Sequence, residues 1–484
     1  MKFKSLFFSV ALSGVTMVAF GQNEDDALRY SNYVPYGTAK FVSMGGALGA
    51  IGADFSANLV NPAGVGVFRK DQMSLTTSWY SSNVNARYYG TSSNASAKTC
   101  ALGNFGITSV FETGSSGCKF FNFGFTFNKL ANFDKDVKIE GVNANHSMLD
   151  YEVDCFNDYL DEGNLFYRAN LFYLNPQGDR YINDYEGSGN YGANQTKRIK
   201  SSGQMNEYAF TLGANFNDAL YIGGSVNITH VDYSQNTTYT EKPLDDSVIS
   251  LDRFFTFDKF RTLGNAVNVK LGAIYWLTEN VRLGVALHSP VIFSMYDDYY
   301  DEVESHVWYN ENGVDFKDDK IVGIEGSSDW KLNIPAKFIG SAAFVFNGVG
   351  MLDVDCEVLN YSSLSLDNQS TSGGDYSDVN DAICDMYRTA VNLRVGGELS
   401  FGPLAVRCGL GYYSSPYITD YENSNANTMV YSAGLGLRNN IMYLDLGFSQ
   451  STKNETYYLY GYDDSASSLK NKKGNFSATF GLKF

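Results

Sequence analysis

The stretch MYLDLGFS, residues 442–449, places an apolar side chain at every second position. Its even-numbered residues are Met, Leu, Leu and Phe, and its odd-numbered residues are Tyr, Asp, Gly and Ser. Because successive side chains of a β-strand point to opposite faces, this order predicts a strand with one apolar face and one polar face. Such a strand is typical of a membrane barrel, whose outer face meets lipid and whose inner face meets the lumen.

The same alternation recurs from residue 72 to the last residue. We predict fourteen strands, an even number, at residues 72–89, 103–112, 119–128, 204–216, 219–233, 264–277, 281–294, 335–346, 350–361, 389–400, 404–413, 428–438, 442–452 and 473–484. The connections alternate between short turns and long loops, which is the asymmetry of outer-membrane barrels. A soluble sandwich would also bury the apolar faces, but it has no reason to keep this asymmetry over seven strand pairs. The sequence therefore predicts an all-β protein, a 14-stranded antiparallel transmembrane β-barrel.

The composition agrees with an all-β protein. The 484 residues include 35 Tyr, 34 Phe and 47 Gly but only 8 Pro. Aromatic residues are favoured in strands. No stretch after the first 21 residues approaches the roughly 18 consecutive apolar residues of a transmembrane helix.

The first 21 residues predict export. Lys2 and Lys4 precede an apolar run from Leu6 to Phe20, and Ala19-Phe20-Gly21 reads as a cleavage site. This order of a basic, an apolar and a small-residue region is that of a secretory signal peptide. We therefore expect residues 1–21 to be removed and the mature chain to begin at Gln22.

The charge argues against a nucleic-acid partner. The chain has 36 Lys and Arg against 53 Asp and Glu, a net charge of −17, which a phosphate backbone would repel. The acidic residues gather in presumed loops at 150–162, 296–304, 315–319 and 375–385. These acidic residues either keep the loops soluble or bind divalent cations that bridge them to an anionic surface. None of the acidic stretches has the residue spacing of a calcium-binding loop.

Neither a catalytic site nor a cofactor site is indicated. The four histidines lie in no recognisable Ser-His-Asp or metal-binding motif, so we predict no catalytic residue, no metal and no cofactor. The six cysteines lie far apart without a C-x-x-C pair, so we expect small hydrophobic side chains there.

The segment FVSMGGALGAIGADFSANLVNPAGVGVFRK, residues 41–70, has neither the alternation of a strand nor the stripe of a long helix. Its glycines permit tight turns and close backbone approach, and they lower the cost of rearrangement. Pro62 lacks a donor and restricts Asn61 to extended geometry, so a helix has to end there.

With the signal before it and the strands after it, this segment resembles the N-terminus of the FadL/TodX family of outer-membrane transporters for hydrophobic compounds. The resemblance rests on Ala39 to Phe41, Ser43-Met-Gly-Gly-Ala47, Asp54 and Asn61-Pro-Ala-Gly64. It implies a hatch, or plug, in the lumen at residues 22–71 and a barrel at residues 72–484. The hatch motif it implies is Gly45, Gly46, Asn61, Pro62, Ala63 and Gly64.

The resemblance also implies that long outer loops form an apolar groove for a small-molecule ligand, either fatty-acid-like or aromatic. Residues 148–160 and 250–264 read as helical and amphipathic. We expect the groove to include Leu149, Phe156, Phe254, Phe255 and Phe260. The alternative is that these side chains only pack the loops over the barrel mouth.

Two further expectations concern partners. The last strand, Phe476 to Phe484, resembles the C-terminal signal read by the barrel assembly machinery, with Phe484 as its terminal aromatic residue. The barrel itself would contact outer-membrane lipid. The alternative to transport is a barrel that acts as a scaffold or shuttle for a surface or secreted protein, as FadL-like barrels do in some secretion systems.

Overall fold

A computed structural model describes residues 22–114, 117–189, 191–245, 250–311, 314–346, 348–369 and 375–484. The predicted signal peptide, residues 1–21, lies outside the described residues. The strands are β1 Gln72–Tyr88, β2 Thr91–Glu112, β3 Cys118–Asn132, β4 Lys135–Asn143, β5 Tyr173–Leu174, β6 Tyr181–Ile182, β7 Ala193–Phe216, β8 Leu220–Pro243, β9 Leu251–Trp276, β10 Val281–His288, β11 Val291–Glu311, β12 Val314–Ile334, β13 Lys337–Phe346, β14 Gly350–Asn360, β15 Ser365–Asn368, β16 Thr389–Phe401, β17 Leu404–Tyr413, β18 Thr428–Arg438, β19 Met442–Tyr458 and β20 Ala466–Lys483.

Short helices complete the described part of the chain. The α-helices are α1 Glu24–Ser31, α2 Ala39–Ser43, α3 Met148–Tyr159, α4 Leu165–Arg168, α5 Asp184–Ser188 and α6 Ser377–Met386. The 3₁₀ helices are Phe55–Leu59, Pro62–Val67, Tyr361–Ser363, Glu422–Asn425 and Asp463–Ser465. Within the described ranges, no helix has the length and apolar character needed to cross a membrane.

Fourteen antiparallel strands close into one ring, as predicted. Round the ring they follow the order β1, β2, β3, β7, β8, β9, β10, β13, β14, β16, β17, β18, β19 and β20. The ring closes between its first and last strands, where Gln72 of β1 pairs with Lys483 of β20.

The strands of the ring show the alternation of apolar and polar side chains that the sequence predicted. On β19, Leu444 faces outward and is 45% exposed, whereas its neighbour Asp445 faces the lumen and is 5% exposed. Apolar residues outside and polar residues inside are the reverse of a soluble sandwich and match a wall that faces lipid. The main hydrophobic core of this protein therefore lies in the filled lumen.

The short turns that join β2 to β3, β7 to β8, β9 to β10, β13 to β14, β16 to β17 and β18 to β19 lie at one end of the ring, where the chain also ends. At the other end β1 and β2 are joined by the two-residue turn Tyr89-Gly90, where the sequence predicted a long loop, because β2 begins earlier than expected. The turn between β7 and β8 holds Asn217 and Asp218, each with a φ of 56°, a left-handed geometry that Asn and Asp tolerate. At the same end Phe484 N donates a hydrogen bond to Asp71 O (2.9 Å). In outer-membrane barrels the end with short turns faces the periplasm, so the opposite end carries the outer loops.

Several strands extend beyond their predicted limits on the outer side. We expected residues 250–264 to be helical, and that prediction is wrong, because residues 251–264 belong to β9. Hydrogen-bonded pairing with β8 and β11 overrides the apparent helical spacing. The acidic residues 296–304, expected in a loop, lie in β11. β11 and β12 form a long hairpin that leaves the wall after Pro290 and returns at Pro335.

One strand leaves the wall within the ring. β3 pairs with β2 only from Phe120 to Asn128, and at Leu130 it carries a bulge against β7. Four consecutive residues, Lys129 to Asn132, are buried, so the alternation stops there. In the described part of the chain, residues 91–102 of β2 consequently pair with β1 but not with β3. We call this place the wall interruption.

Candidate functional site

The N-terminal segment, residues 22–71, lies inside the ring. Ala39 N donates a hydrogen bond to Thr479 Oγ1 on β20 (2.8 Å), and Asn61 Nδ2 donates to Ala273 O on β9 (3.2 Å). β20 and β9 lie on nearly opposite sides of the ring. The segment therefore spans the lumen from wall to wall.

The segment touches the wall backbone directly where the wall carries glycine. A Cβ atom on Gly409 would lie 2.3 Å from the backbone of the segment, and one on Gly223 would lie 2.5 Å from the Pro62 oxygen. On the segment, Gly45 and Gly46 have φ angles of +64° and +81°, which favour glycine. A side chain at any of these glycines would either clash or strain the backbone.

Asn61 joins two parts of the segment to each other. Its Oδ1 accepts a hydrogen bond from Ala63 N (3.1 Å), and its Nδ2 donates to Gly49 O (2.9 Å). Pro62 is the first residue of a 3₁₀ helix that also holds Gly64, a position where the missing N–H costs nothing. The motif thus fixes one turn at the periplasmic base of the lumen.

Charged side chains of the inner wall pair with one another near this base. The guanidinium of Arg407 donates to Glu398 (2.7 Å) and to Asp445 (2.6 Å), and Arg438 donates to Glu398 (2.7 Å). Arg407, Glu398 and Asp445 are all buried. We call these four residues the base network.

A cavity of about 70 Å³ lies between the segment and the wall on the side of β7, β9 and β10. Its apolar lining comes from the segment and from the barrel. The residues are Tyr30, Tyr33, Pro35 and Leu59 on the segment, Leu130, Met205 and Leu359 on the wall, and Val291, Phe293 and Ile334 at the base of the β11–β12 hairpin. A void of this size holds about two water molecules. Any larger guest therefore requires side chains of the lining to move.

The cations that line this cavity are already paired. Lys270 Nζ lies 2.8 Å from Glu207, while Lys337 Nζ and Arg394 Nη1 lie 3.3 and 3.2 Å from Glu357. Buried charges that have lost their water need such partners. The cavity consequently presents aromatic and aliphatic surface together with charges that are already neutralised.

The wall interruption borders the lumen through a row of stacked groups. The Lys129 ammonium lies 5.0 Å from the ring centroid of Tyr80, and that ring contacts Tyr36 of the segment at 4.8 Å. Thr99 of β2 donates a hydrogen bond to Asp134, which follows β3, so the two edges are tied by side chains. Sequence reasoning missed this place, although the loss of alternation after Asn128 was a usable signal.

The five residues expected in an outer groove do not come together. Leu149, Phe156 and Phe254 are 1%, 3% and 0% exposed and share one closed cluster over the barrel mouth. In this cluster Phe254 lies 6.1 Å from Phe166, and Phe156 stacks on Tyr167 at 4.7 Å. α3, predicted at 148–160, forms as expected and supplies two of these residues.

Phe255 and Phe260 lie elsewhere. Because β9 is a strand, Phe255 points to the opposite face from Phe254, whereas Phe260 packs inside the lumen with its ring 6.3 Å from that of Tyr233. Phe484, the predicted assembly signal, is 68% exposed at the periplasmic end. In the described residues no group of three or more His, Cys, Asp or Glu is placed to hold a metal ion.

Solved structures of other proteins share this barrel geometry. A Pseudomonas aeruginosa FadL homologue matches with a TM-score of 0.57 at 14% identity, over 94% of this chain and 100% of that one. The P. putida toluene transporter TodX matches with a TM-score of 0.54 at 13% identity, over 94% and 99%. The chain has the FadL-type barrel fold.

A third FadL-type barrel, the Ralstonia pickettii toluene transporter TbuX, matches with a TM-score of 0.51 at 13% identity, over 94% and 99% of the two chains. No family model and no curated protein matches the sequence. At these identities the likeness concerns the FadL-type fold, and the function has to be argued from the site.

Proposed function

We propose that this FadL-type barrel is an outer-membrane channel that takes up hydrophobic small molecules, with residues 22–71 as its hatch. The observation that carries the proposal is the cavity between the hatch and the wall, because eleven of its 21 lining residues are aromatic, aliphatic or proline and its lysines and arginine are already paired with carboxylates. Ligand sites are mostly apolar with few polar groups. Two barrels of the same fold are named toluene transporters, which agrees with an apolar ligand.

The ligand in this proposal is neutral. A fatty-acid carboxylate in the cavity would need a free cation, whereas Lys270, Lys337 and Arg394 each already have a carboxylate within 4 Å. Displacing one partner would leave another charge buried and unpaired, which is costly. A monoaromatic or aliphatic hydrocarbon makes no such demand.

The proposed path leads sideways through the wall. The base network and the close hatch–wall contacts oppose straight passage to the periplasm, whereas Tyr36, Tyr80 and Lys129 form a row of side chains between the lumen and the wall interruption. A ligand that reaches this row therefore needs rotation of a few side chains, and the hatch base can stay in place.

Uptake in cells tests the proposal. Cells that express the protein should accumulate a radiolabelled neutral aromatic compound, such as toluene, faster than cells without it, and benzoate should show no such gain. Equal accumulation with and without the protein would contradict transport. The scaffold alternative makes a different prediction, namely stoichiometric copurification with another protein and no gain in uptake.

A further inference from the structure

The outward faces of four neighbouring strands form an uninterrupted basic patch above the membrane band. The strands are β19, β20, β1 and β2, and Trp79 pairs in register with Phe476 on one side and Cys100 on the other. Trp79 and Phe476 lie 5.6 Å apart between ring centroids, are exposed and point toward lipid. This aromatic row is the upper edge of the apolar surface on these strands.

Above that row the outward residues become cationic. Residues that pair across the four strands form a row, and rows are counted here from the row of Trp79 toward the outer end. Lys98 lies one row above Trp79, Lys472 two rows, Lys470 three rows and Arg87 four rows above it, and all four side chains are exposed. Successive rows are two residues apart, or about 7 Å along the strand. Among the described residues none of these four cations has an ion-pair partner, since the other outward residues in these rows are Ser, Thr, Asn, Gln and Gly.

This patch is unusual for the molecule. The chain carries a net charge of −17, and the outward face of β11 shows the opposite pattern, with Asp298, Glu302 and Glu304 at similar positions above the apolar band. A cationic region without any carboxylate therefore lies on the outward face of β19, β20, β1 and β2. Basic clusters beside a membrane attract anionic lipid head groups.

Two grooves follow the same boundary. One groove, of about 430 Å³, lies beside Trp79, Phe448 and Phe476, and a second, of about 550 Å³, is lined by Asn83, Asn94, Lys470 and Lys472 among others. The lower groove is apolar and at lipid depth, and the upper one is polar and cationic. Their order matches an amphiphile with its acyl chain below and its charged head above.

We propose that this face is a binding site for a phosphate-bearing membrane lipid of the outer leaflet. Its phosphates would lie among Lys98, Lys470 and Lys472, and an acyl chain would lie against Trp79 and Phe476. Neighbouring strands are about 4.8 Å apart, so Lys98 and Lys472 are separated laterally by about 10 Å, within the reach of one diphosphorylated head group. The site does not depend on which compound the lumen carries.

Binding of diphosphorylated lipid A to the purified full chain in detergent tests this inference. The expected result is that K470Q/K472Q weakens binding about tenfold. The control K200Q/K259Q removes two exposed lysines from β7 and β9 and should leave affinity unchanged. The single variants K98Q and W79S give independent readings of the head-group and acyl-chain contacts if the double variant folds poorly.

Three outcomes would overturn it. One is equal affinity for lipid A and for the same lipid without its phosphates. Another is an equal loss in both double variants, which would mean unspecific charge attraction. The third is inorganic phosphate binding as tightly as the lipid, which would assign the patch to a free anion.

Discussion

The ammonium group of Lys129 lies 5.0 Å from the ring centroid of Tyr80, at the place where β3 leaves the wall. This contact separates the lumen from the wall interruption. Cation–aromatic contacts of this kind contribute about 0.5–2 kcal/mol, depending on how far they are desolvated. Opening the path therefore costs little compared with moving the whole hatch.

Replacing Tyr80 by alanine should raise the uptake of a neutral aromatic compound several-fold, because it removes a ring that stands between the lumen and the wall interruption. Tyr80→Phe keeps the ring and should behave as wild type. Tyr412→Ala is the matched control, since Tyr412 is 38% exposed on the lipid face. Initial rates of radiolabelled toluene uptake measure the effect, and unchanged uptake in Tyr80→Ala would argue against the sideways path.

A disulfide between Gly49→Cys and Ser341→Cys should leave uptake within about twofold of wild type, because the hatch base stays in place in the proposed path. A Cβ atom on Gly49 lies 3.0 Å from Ser341 Cβ, so a shift of roughly 0.5–1 Å gives ordinary disulfide geometry. Uptake is compared before and after reduction of the same sample. Restoration of uptake only after reduction would mean that the base moves during transport.

Replacing Arg407 by methionine should destabilise the barrel by about 3–5 kcal/mol, because two buried carboxylates lose their shared cation. Arg261→Met is the control, since Arg261 pairs with Asp232 on the exposed wall and exposed pairs contribute at most about 1 kcal/mol. Heat-dependent migration on gels reports both effects. Similar melting of the two variants would show that the base network is not a major source of stability.

Acidic pH should stabilise the outer ribbon of β9 and β11. Asp258 and Asp301 are cross-strand partners there, and burial raises their pKa values to about 6 and about 7. The folded state then binds more protons than the unfolded state, so this stabilisation is complete below about pH 4 and is lost as the pH rises through about 7.

Apparent melting temperatures at several pH values between about 4 and 8 test this expectation. Asp301→Asn should flatten the decline with pH, whereas Asp298→Asn, on the outward face of the same strand, should not. A melting temperature that rises steadily with pH in the wild type would contradict the assignment.

Phe254 and Phe255 should respond differently to substitution by serine. Phe254 is fully buried in the cluster over the barrel mouth, so its loss should cost about 3–5 kcal/mol and expose residues 144–192 to proteases. Phe255, on the outward face, should tolerate the change within about 1 kcal/mol. Limited proteolysis of intact cells separates the two, and equal digestion would indicate that the cluster does not hold the outer loops.

The fold was predictable because lipid demands an apolar side chain at every second position, which leaves a mark in each strand. Leu444 and Asp445 show it directly. The outer extensions were not predictable in this way. In β9 the spacing of Phe254, Phe257 and Phe260 also suits a helix, and only pairing with distant strands decides between the two.

The site was predictable to a smaller degree. The position of Asn61-Pro62 in an irregular segment follows from proline geometry, and charges of both signs on the inner face follow from alternation. Which cation meets which carboxylate, as for Arg407 and Asp445, depends on register between strands far apart in the chain. The bulge next to Lys129 likewise depends on how β3 packs against the folded barrel.

Pro290 and Pro335 mark where the β11–β12 hairpin leaves and rejoins the wall, and directly below them His288 of β10 already pairs with Lys337 of β13. The ring is thus complete without the 44 intervening residues between the two prolines. The hairpin is an insertion in the topological sense, so a change in the length of its outer part leaves the barrel closed. Its base is not free to change in the same way, because Val291, Phe293 and Ile334 line the cavity beside the hatch.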